Sequence, residues 1–283
     1  MAIAVISVRL FIHQPKTTVM KFIFTLLPGF LFFSANSQQW KFTTGYSLGI
    51  PRQEMSKNIQ PAHSLQTGVL YQFPGELKRL SLGFEFGIGI YAHETIDQTF
   101  QFDNNTTTVL PVDYSSNVFN ANVHARFNLL SDKNYIIPYV NAKGGLYNFY
   151  SSIYIGDPED ANGCHALEQE NIMNDKTMYW SAGGGLQINT GIFSKHKHSS
   201  KVMIDISANT IRGGEISYIN TKHLMDAPAP ATTDPDAKPL NVQFINASTQ
   251  SIHEHKVAQV YTSPLRMLEF RAGVTISLCD KSN

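Results

Sequence analysis

Long apolar runs are missing from the interior of this chain. No internal segment approaches the ~20 apolar residues of a membrane-spanning helix, and the best run, Leu80 to Ile90, is interrupted by Gly83 and Glu85. Charge is scarce as well. Asp, Glu, Lys and Arg make up 16% of the chain, against about 25% in ordinary soluble domains. The 22 basic residues balance the 22 acidic ones, so no basic nucleic-acid surface is indicated. What remains is a chain with 11% aromatics and a mean hydropathy of -0.16, a composition that suits a β-structure with an apolar exterior.

The run Leu80 to Ile90 reads L-S-L-G-F-E-F-G-I-G-I. In a strand, successive side chains alternate faces, so Leu80, Leu82, Phe84, Phe86, Ile88 and Ile90 share one face, and Ser81, Gly83, Glu85, Gly87 and Gly89 share the other. The polar face carries a carboxylate and three glycines, which rules out a dry core on that side and turns the apolar side toward lipid. At ~3.3 Å per residue and a tilt of ~45°, such a strand rises roughly 26 Å, the height of the apolar band of an outer-membrane barrel.

Seven further strands show the same alternation. The first is Gln39 to Ile50, with Trp40, Phe42, Tyr46 and Leu48 outward; the second is Ser64 to Phe73, with Leu65, Val69, Tyr71 and Phe73 outward. The fourth, Ser116 to Leu130, sets Phe119, Val123, Phe127 and Leu129 against Asn120, Asn122, His124 and Arg126. The fifth runs Tyr135 to Tyr150, where Pro138 implies a bulge or a strand end near the rim. The sixth is Tyr179 to Phe193, the seventh begins as Val202 to Thr210, and the eighth is Arg266 to Leu278. Connections alternate in length: Pro74 to Leu77, Ser131 to Asn134 and Ser194 to Ser199 are short, whereas Pro51 to His63, Phe100 to Tyr114, Gly156 to Thr177 and Lys222 to Pro264 are long. The expected fold is therefore all-β: a transmembrane antiparallel up-and-down β-barrel of eight strands, with long external loops and short periplasmic turns.

The amino end has the layout of an export signal. Met20 and Lys21 open a short n-region, Phe22 to Phe33 is apolar, and Ala35-Asn36-Ser37 supplies small residues for cleavage. Residues 1–37 are read as an upstream extension plus signal, with Met20 as the expected start, and 38–283 as a single barrel domain. Cys164 and Cys279 then fall on opposite sides of the membrane and are expected not to pair, although two cysteines in an exported chain otherwise invite a disulfide.

With this signal, L-S-L-G-F-E-F-G-I-G-I, P-Y-V-N-A-K-G-G-L-Y (Pro138 to Tyr147) and S-A-G-G-G-L-Q-I (Ser181 to Ile188), the mature chain resembles the small outer-membrane β-barrel family typified by the OmpA membrane domain and OmpX, in particular its porin-like branch in Bacteroidetes. The resemblance implies a bacterial outer-membrane location, a lipid surround, delivery by the outer-membrane insertion machinery and a monomer. The residues after the expected strand eight, Cys279-Asp280-Lys281-Ser282-Asn283, depart from the family's pattern of an aromatic end, and no peptidoglycan-binding domain is expected to follow.

Parity sends Lys41, Arg126, Lys143 and Arg271 into the lumen together with Glu85, Asp205 and Glu269. An eight-stranded barrel is just wide enough for side chains to fill, and buried charges need partners, so a charge network plugging the lumen is expected; a narrow channel for ions or small solutes is the alternative. His124 joins this set as a lumen histidine. The H-x-H pairs His196/His198 and His253/His255 each offer two imidazoles, short of the four ligands of structural zinc, and Asp157, Glu159 and Asp160 do not space as a calcium loop. No metal or other cofactor is expected. His198 and Ser200 sit on a short turn, and no Ser/His/acid set agrees in parity and depth, so neither a lipid-modifying barrel enzyme nor any other catalysis is expected. The segment Asp226 to Asp236 is rich in Pro and Ala and is expected to be mobile.

A structural or surface-interaction role is expected, and the second external loop is the segment that would carry an interaction. Ile96, Phe100 and Phe102 continue the even, outward parity of the third strand, Asp103-Asn104-Asn105 supplies turn chemistry, and Thr106 to Val112 is β-rich. A hairpin containing Phe100, Phe102 and Val109 should project above the membrane and offer an unpaired edge to a surface ligand.

Overall fold

The computed structural model describes residues 39–101, 107–132, 134–156, 166–193, 201–220, 238–245 and 252–278. The expected signal, both cysteines, His196 and His198, the acidic loop at 157–160 and the segment 226–236 lie outside them. The strands are β1 (Gln39–Pro51), β2 (Ala62–Gln72), β3 (Leu80–Gln101), β4 (Thr107–Asn128), β5 (Ile136–Gly156), β6 (Ala166–Asn189), β7 (Val202–Ile219), β8 (Lys238–Ile245) and β9 (Ile252–Ser277), and a short helix α1 (Glu54–Asn58) lies between β1 and β2. All pairings are antiparallel between neighbours in the chain from β1 to β7; β9 then pairs with both β7 and β1, which closes an eight-stranded up-and-down barrel. The additional β8 pairs with β9 outside the ring, from Lys238↔Val260 to Ile245↔Ile252.

Closure fixes the barrel's dimensions. The row Lys41, Leu70, Gly83, His124, Lys143, Ser181, Ile211, Met267 steps across all eight strands and returns to β1 at Pro51, ten residues beyond its start. With ~3.3 Å per residue and ~4.7 Å between strands, a stagger of ten on eight strands gives a tilt of about 41° and a backbone radius of about 8 Å, a bore that side chains fill. The seam admits such close packing because Gly45 faces Gly273. A Cβ on Gly45 would stand 2.7 Å from the Gly273 Cα.

Around the short-turn end of this ring the polarity is that of a protein turned inside out. Phe84 (59% exposed), Phe86, Ile88, Val123, Val140, Leu186, Ile206 and Phe270 point outward, while Lys41, Glu85, Arg126, Lys143, Asp205, Glu269 and Arg271 are buried inside. From Leu80 to Ile90 this apolar girdle spans about 25 Å along the axis at that tilt. An apolar girdle around a charged, closed interior defines a barrel set in a bilayer.

Above the girdle the polarity reverses. The inward faces become Tyr91, Val112, Tyr114, Val118, Tyr147, Phe149, Ile153, Ile211, Ile216, Tyr218, Leu265 and Met267, all buried in one cluster. His93, Thr95 and Asp97 are exposed on the outside. Two residues from the β1–β2 connection, Met55 on α1 and Ile59 just after it, are buried in the same cluster. Here the wall stands in water, so burial favours apolar side chains inside.

This reversal corrects several sequence expectations. Strands three to eight run further than the lipid-facing alternation indicates: Phe100 to Tyr114, Gly156 to Thr177 and Lys222 to Pro264, read as loops, contain parts of β4, β6, β8 and β9. Exposed positions there include the polar Asn174, Lys176 and Thr262, so the regular apolar-out pattern of the girdle does not mark the strands where they continue. Ile96 does not keep an outward even parity. A bulge between Ile90 and Ala92 places Ala92 opposite Ser116 and Ile96 opposite the buried Val112, and Ile96 packs on the apolar cluster. Pro138, the third residue of β5, pairs with Leu186 without any register shift, which suits a strand end rather than a bulge. The sixth strand stops at Asn189, where Thr190–Phe193 forms a 3-10 turn.

Candidate functional site: the barrel interior and its rim

Two ion-pair groups fill the girdle-level interior. In the first, the Arg126 guanidinium on β4 lies 2.8 Å from Asp205 Oδ2 on β7. Tyr139 OH on β5 donates to Asp205 Oδ1 at 2.5 Å, and Gln187 Nε2 and Thr275 Oγ1 each donate to Oδ2 at 3.2 Å. Arg126 also stacks over the Tyr139 ring, 4.1 Å from its centroid. Side chains from four other strands thus converge on one carboxylate, and each of its two oxygens accepts at least one hydrogen bond, so burial leaves neither oxygen without a donor.

The second group is centred on Glu85 of β3, 1% exposed. Lys143 Nζ from β5 donates to Glu85 Oε1 at 2.6 Å and to Glu269 Oε1 on β9 at 3.2 Å. Arg271 on β9 binds Glu85 Oε2, and Asn209 Nδ2 on β7 donates to Glu269 Oε1 at 2.9 Å. Since β3, β5 and β9 are not neighbours in the ring, these bonds cross the lumen rather than follow one wall. His124 is buried beside Glu85, its Nδ1 3.8 Å from Oε2. Lys41 is buried in the same interior on β1. The side chains can neutralise one another and hold opposite walls together.

Directly above, an aromatic stack occupies the bore. Phe149 lies 5.2 Å from Tyr91, 5.4 Å from Tyr147 and 6.3 Å from Tyr218 between ring centroids, and Tyr147 meets Tyr179 edge-on at 5.5 Å. Tyr91 OH and Tyr218 OH reach Ser151 and Ser263 at 3.2 and 3.0 Å, which satisfies their polar tips. Sequence reading missed this tier and the acceptor-filling roles of Tyr139, Gln187, Asn209 and Thr275. The signal was present on β5, whose inward series passes from Asn141 and Lys143 through Gly145 to Tyr147 and Phe149.

Of the hairpin residues, Val109 points away from this interior. Pairing of β3 with β4 continues to Phe100↔Thr108 and Gln101↔Thr107, whereas β2 pairs with β3 only as far as His63↔Ile90. Among the described residues, the edge of β3 from Tyr91 to Gln101 that faces away from β4 has no strand partner. Val109 is exposed, and Phe102 lies outside the described residues. His253 and His255 lie on β9 opposite Phe244 and Val242. Among the described residues, no group of three or more His, Cys, Asp or Glu side chains is placed to hold a metal ion.

The sequence matches no family model and no curated protein. Solved structures align over most of the chain at low identity. The Neisserial surface protein A aligns at 8% identity over 85% of this chain and 97% of its own, with a TM-score of 0.40. A major outer membrane protein from Thermus thermophilus aligns at 10% identity over 86% and 100%, also at 0.40. The N-terminal β-barrel domain of Pseudomonas aeruginosa OprF aligns at 9% identity over 84% and 97%, with a TM-score of 0.27. The class, a closed eight-stranded membrane barrel, is defined by the chain's own pairing and polarity.

Proposed function

We propose that the protein is a closed, non-conducting barrel of the bacterial outer membrane that works at the cell surface rather than through its bore. The observation that carries this reading is the two-tier interior: ion pairs cross the lumen at girdle height, and a packed aromatic tier lies over them. Water and ions crossing the barrel would have to break both. The extended end, with its polar outer wall, is read as external and the short-turn end as periplasmic, and the chain acts as a monomer after delivery by the insertion machinery, without catalysis or cofactor.

In this reading the β3–β4 ribbon is the partner-binding element, and the open β3 edge from Tyr91 to Gln101 takes up an extended segment of a surface ligand as an added strand. Phe100, Phe102 and Val109 belong to that ribbon. A fractionation and capture experiment tests the proposal. The protein should appear in outer-membrane fractions with heat-modifiable migration, and cells displaying it should bind a ligand that is lost when the ribbon tip is removed. A folded, water-soluble protein without detergent would end the membrane reading, and capture unchanged by ribbon removal would end the binding role.

A further inference from the structure

A row of arginines lies on the outside of the barrel where the girdle ends. Arg212 on β7 stands directly opposite Arg266 on β9, and Arg52, immediately after β1, donates its backbone N–H to the Arg266 carbonyl at 2.9 Å. All three side chains are exposed. Like charges directly across a strand pair repel, so this row opposes the local pairing that builds the wall. Among the described residues, none of the three forms an ion pair with a carboxylate. Glu54 is engaged by Lys57 at 2.7 Å. The outward acid that follows on β7 is Glu215, a rung further up opposite Pro264, so three guanidiniums stand against one carboxylate.

Their height can be read from the pairing. The outward row Phe42, Val69, Phe84, Val123, Gly144, Trp180, Arg212, Arg266 climbs round the barrel, and at a tilt of about 41° it gains about 3 Å per strand. Arg212, Arg266 and Arg52 then lie about 18, 22 and 25 Å above Phe42, bracketing Ile90, the last outward apolar residue of β3 before its bulge, at about 21 Å. Next along the row, Trp180 is 53% exposed and carries the Arg212 guanidinium 5.8 Å from its ring centroid. Exposed tryptophan marks the membrane–water interface. Beside the arginines the wall opens into a cavity of about 620 Å³ lined by Arg52, Gln53, Ser56, Arg212, Arg266 and Leu268, among others.

We propose that Arg52, Arg212 and Arg266 form a binding site on the outer wall for the phosphate groups of a phosphorylated lipid in the surrounding leaflet. The position selects this occupant. A phosphate at this height is attached to acyl chains that run down the girdle past Leu268 and Phe270, and guanidinium forks match phosphate oxygens in paired hydrogen bonds. The bound anion removes the Arg212–Arg266 repulsion, so occupancy also stabilises the β7–β9 pairing and the neighbouring seam with β1.

The proposal rests on the membrane reading above, and its test is independent of which end faces outward. Native mass spectrometry of the refolded protein in non-ionic micelles would be titrated with lipid A, with its dephosphorylated counterpart, and with inorganic phosphate. Lipid A should bind the unmodified protein, the dephosphorylated lipid should bind more weakly, and R212Q/R266Q should weaken lipid A binding by about tenfold for each guanidinium removed. K78Q/R79Q, at the opposite rim, should leave it unchanged. Should the double variant fail to fold, R52Q alone, on the connection rather than in a strand, is expected to give the single-site loss. Equal affinity for both lipids, equal affinity of unmodified and substituted protein, or complete displacement by inorganic phosphate would overturn the site. Failure of the assumed orientation would appear separately, as ribbon resistance to external protease on whole cells.

Discussion

Lys143 stands 2.6 Å from Glu85 although β5 and β3 are separated in the ring by β4, and the same ammonium reaches Glu269 on β9 at 3.2 Å. One cation therefore bridges two carboxylates from opposite walls. Removing a single member of a buried group of this kind strands the others, which costs more than the group contributes over an apolar replacement.

Glu85→Gln is accordingly expected to lower stability by ~3–5 kcal/mol, since Lys143 and Arg271 lose their shared acceptor. Glu76→Gln, exposed on the β2–β3 turn, should change it by less than ~0.5 kcal/mol. Denaturant midpoints in micelles compare the two. Equal midpoints would show that the interior does not depend on this carboxylate.

The polarity reversal makes a paired expectation for the outer wall. Phe84→Arg, at girdle height, should cost ~2–4 kcal/mol in bilayer refolding, whereas Val109→Arg, on the ribbon above it, should cost less than ~0.5 kcal/mol. Similar costs at both positions would place the membrane boundary elsewhere. Inside the upper tier, Phe149→Ala should cost ~3–5 kcal/mol through the cavity it leaves among Tyr91, Tyr147 and Tyr218.

Much of the girdle was legible in the sequence, and the upper tier was not, for one physical reason. Alternation reports which face is apolar, so Leu80 to Ile90 and Phe119 to Leu129 declare themselves only while the outside is lipid. Once β3 leaves the bilayer, Tyr91 forms a bulge and the apolar face turns inward, so Ile96 reads as a continuation of the lipid face when it packs opposite Val112. On β6, the polar stretch Ala166 to Thr177 carries no alternation that marks a strand, and it is ordered by its backbone pairing with β5 from Gly156↔Ala166 to Tyr147↔Thr177. The inward positions of Glu85, Lys143 and Arg271 follow from parity, whereas which walls they join depends on a stagger of ten residues that no single strand encodes.

That stagger brings Gly45 against Gly273 at the closing seam. Gly45→Ala would set a methyl group 2.7 Å from both the Gly273 Cα and the Ala272 carbonyl oxygen, and is expected to destabilise the closed barrel by ~1–3 kcal/mol. Gly144→Ala provides the control, because its added carbon meets nothing nearer than 3.9 Å. Slower folding or a lower midpoint for the first variant alone, followed by heat-modifiable migration, is the expected result. Matching behaviour of both variants would mean that the seam is not tightly packed.

Removal of Thr99 to Thr108 should leave refolding intact and abolish ligand capture. Carrying the deletion through Val112 should impair folding, as Leu110 and Val112 are buried in that cluster. Normal folding of the longer deletion would show that the upper tier does not rely on β4.

Planar-bilayer recording of the refolded protein measures the sealed interior most directly. The expected trace shows no unitary current steps across the voltage range that the membrane withstands, because ion pairs and the Phe149 aromatic tier lie in series along the bore. Stable unitary steps from the unmodified protein, changed in size by Arg271→Gln, would contradict the closed barrel and identify a conducting pore.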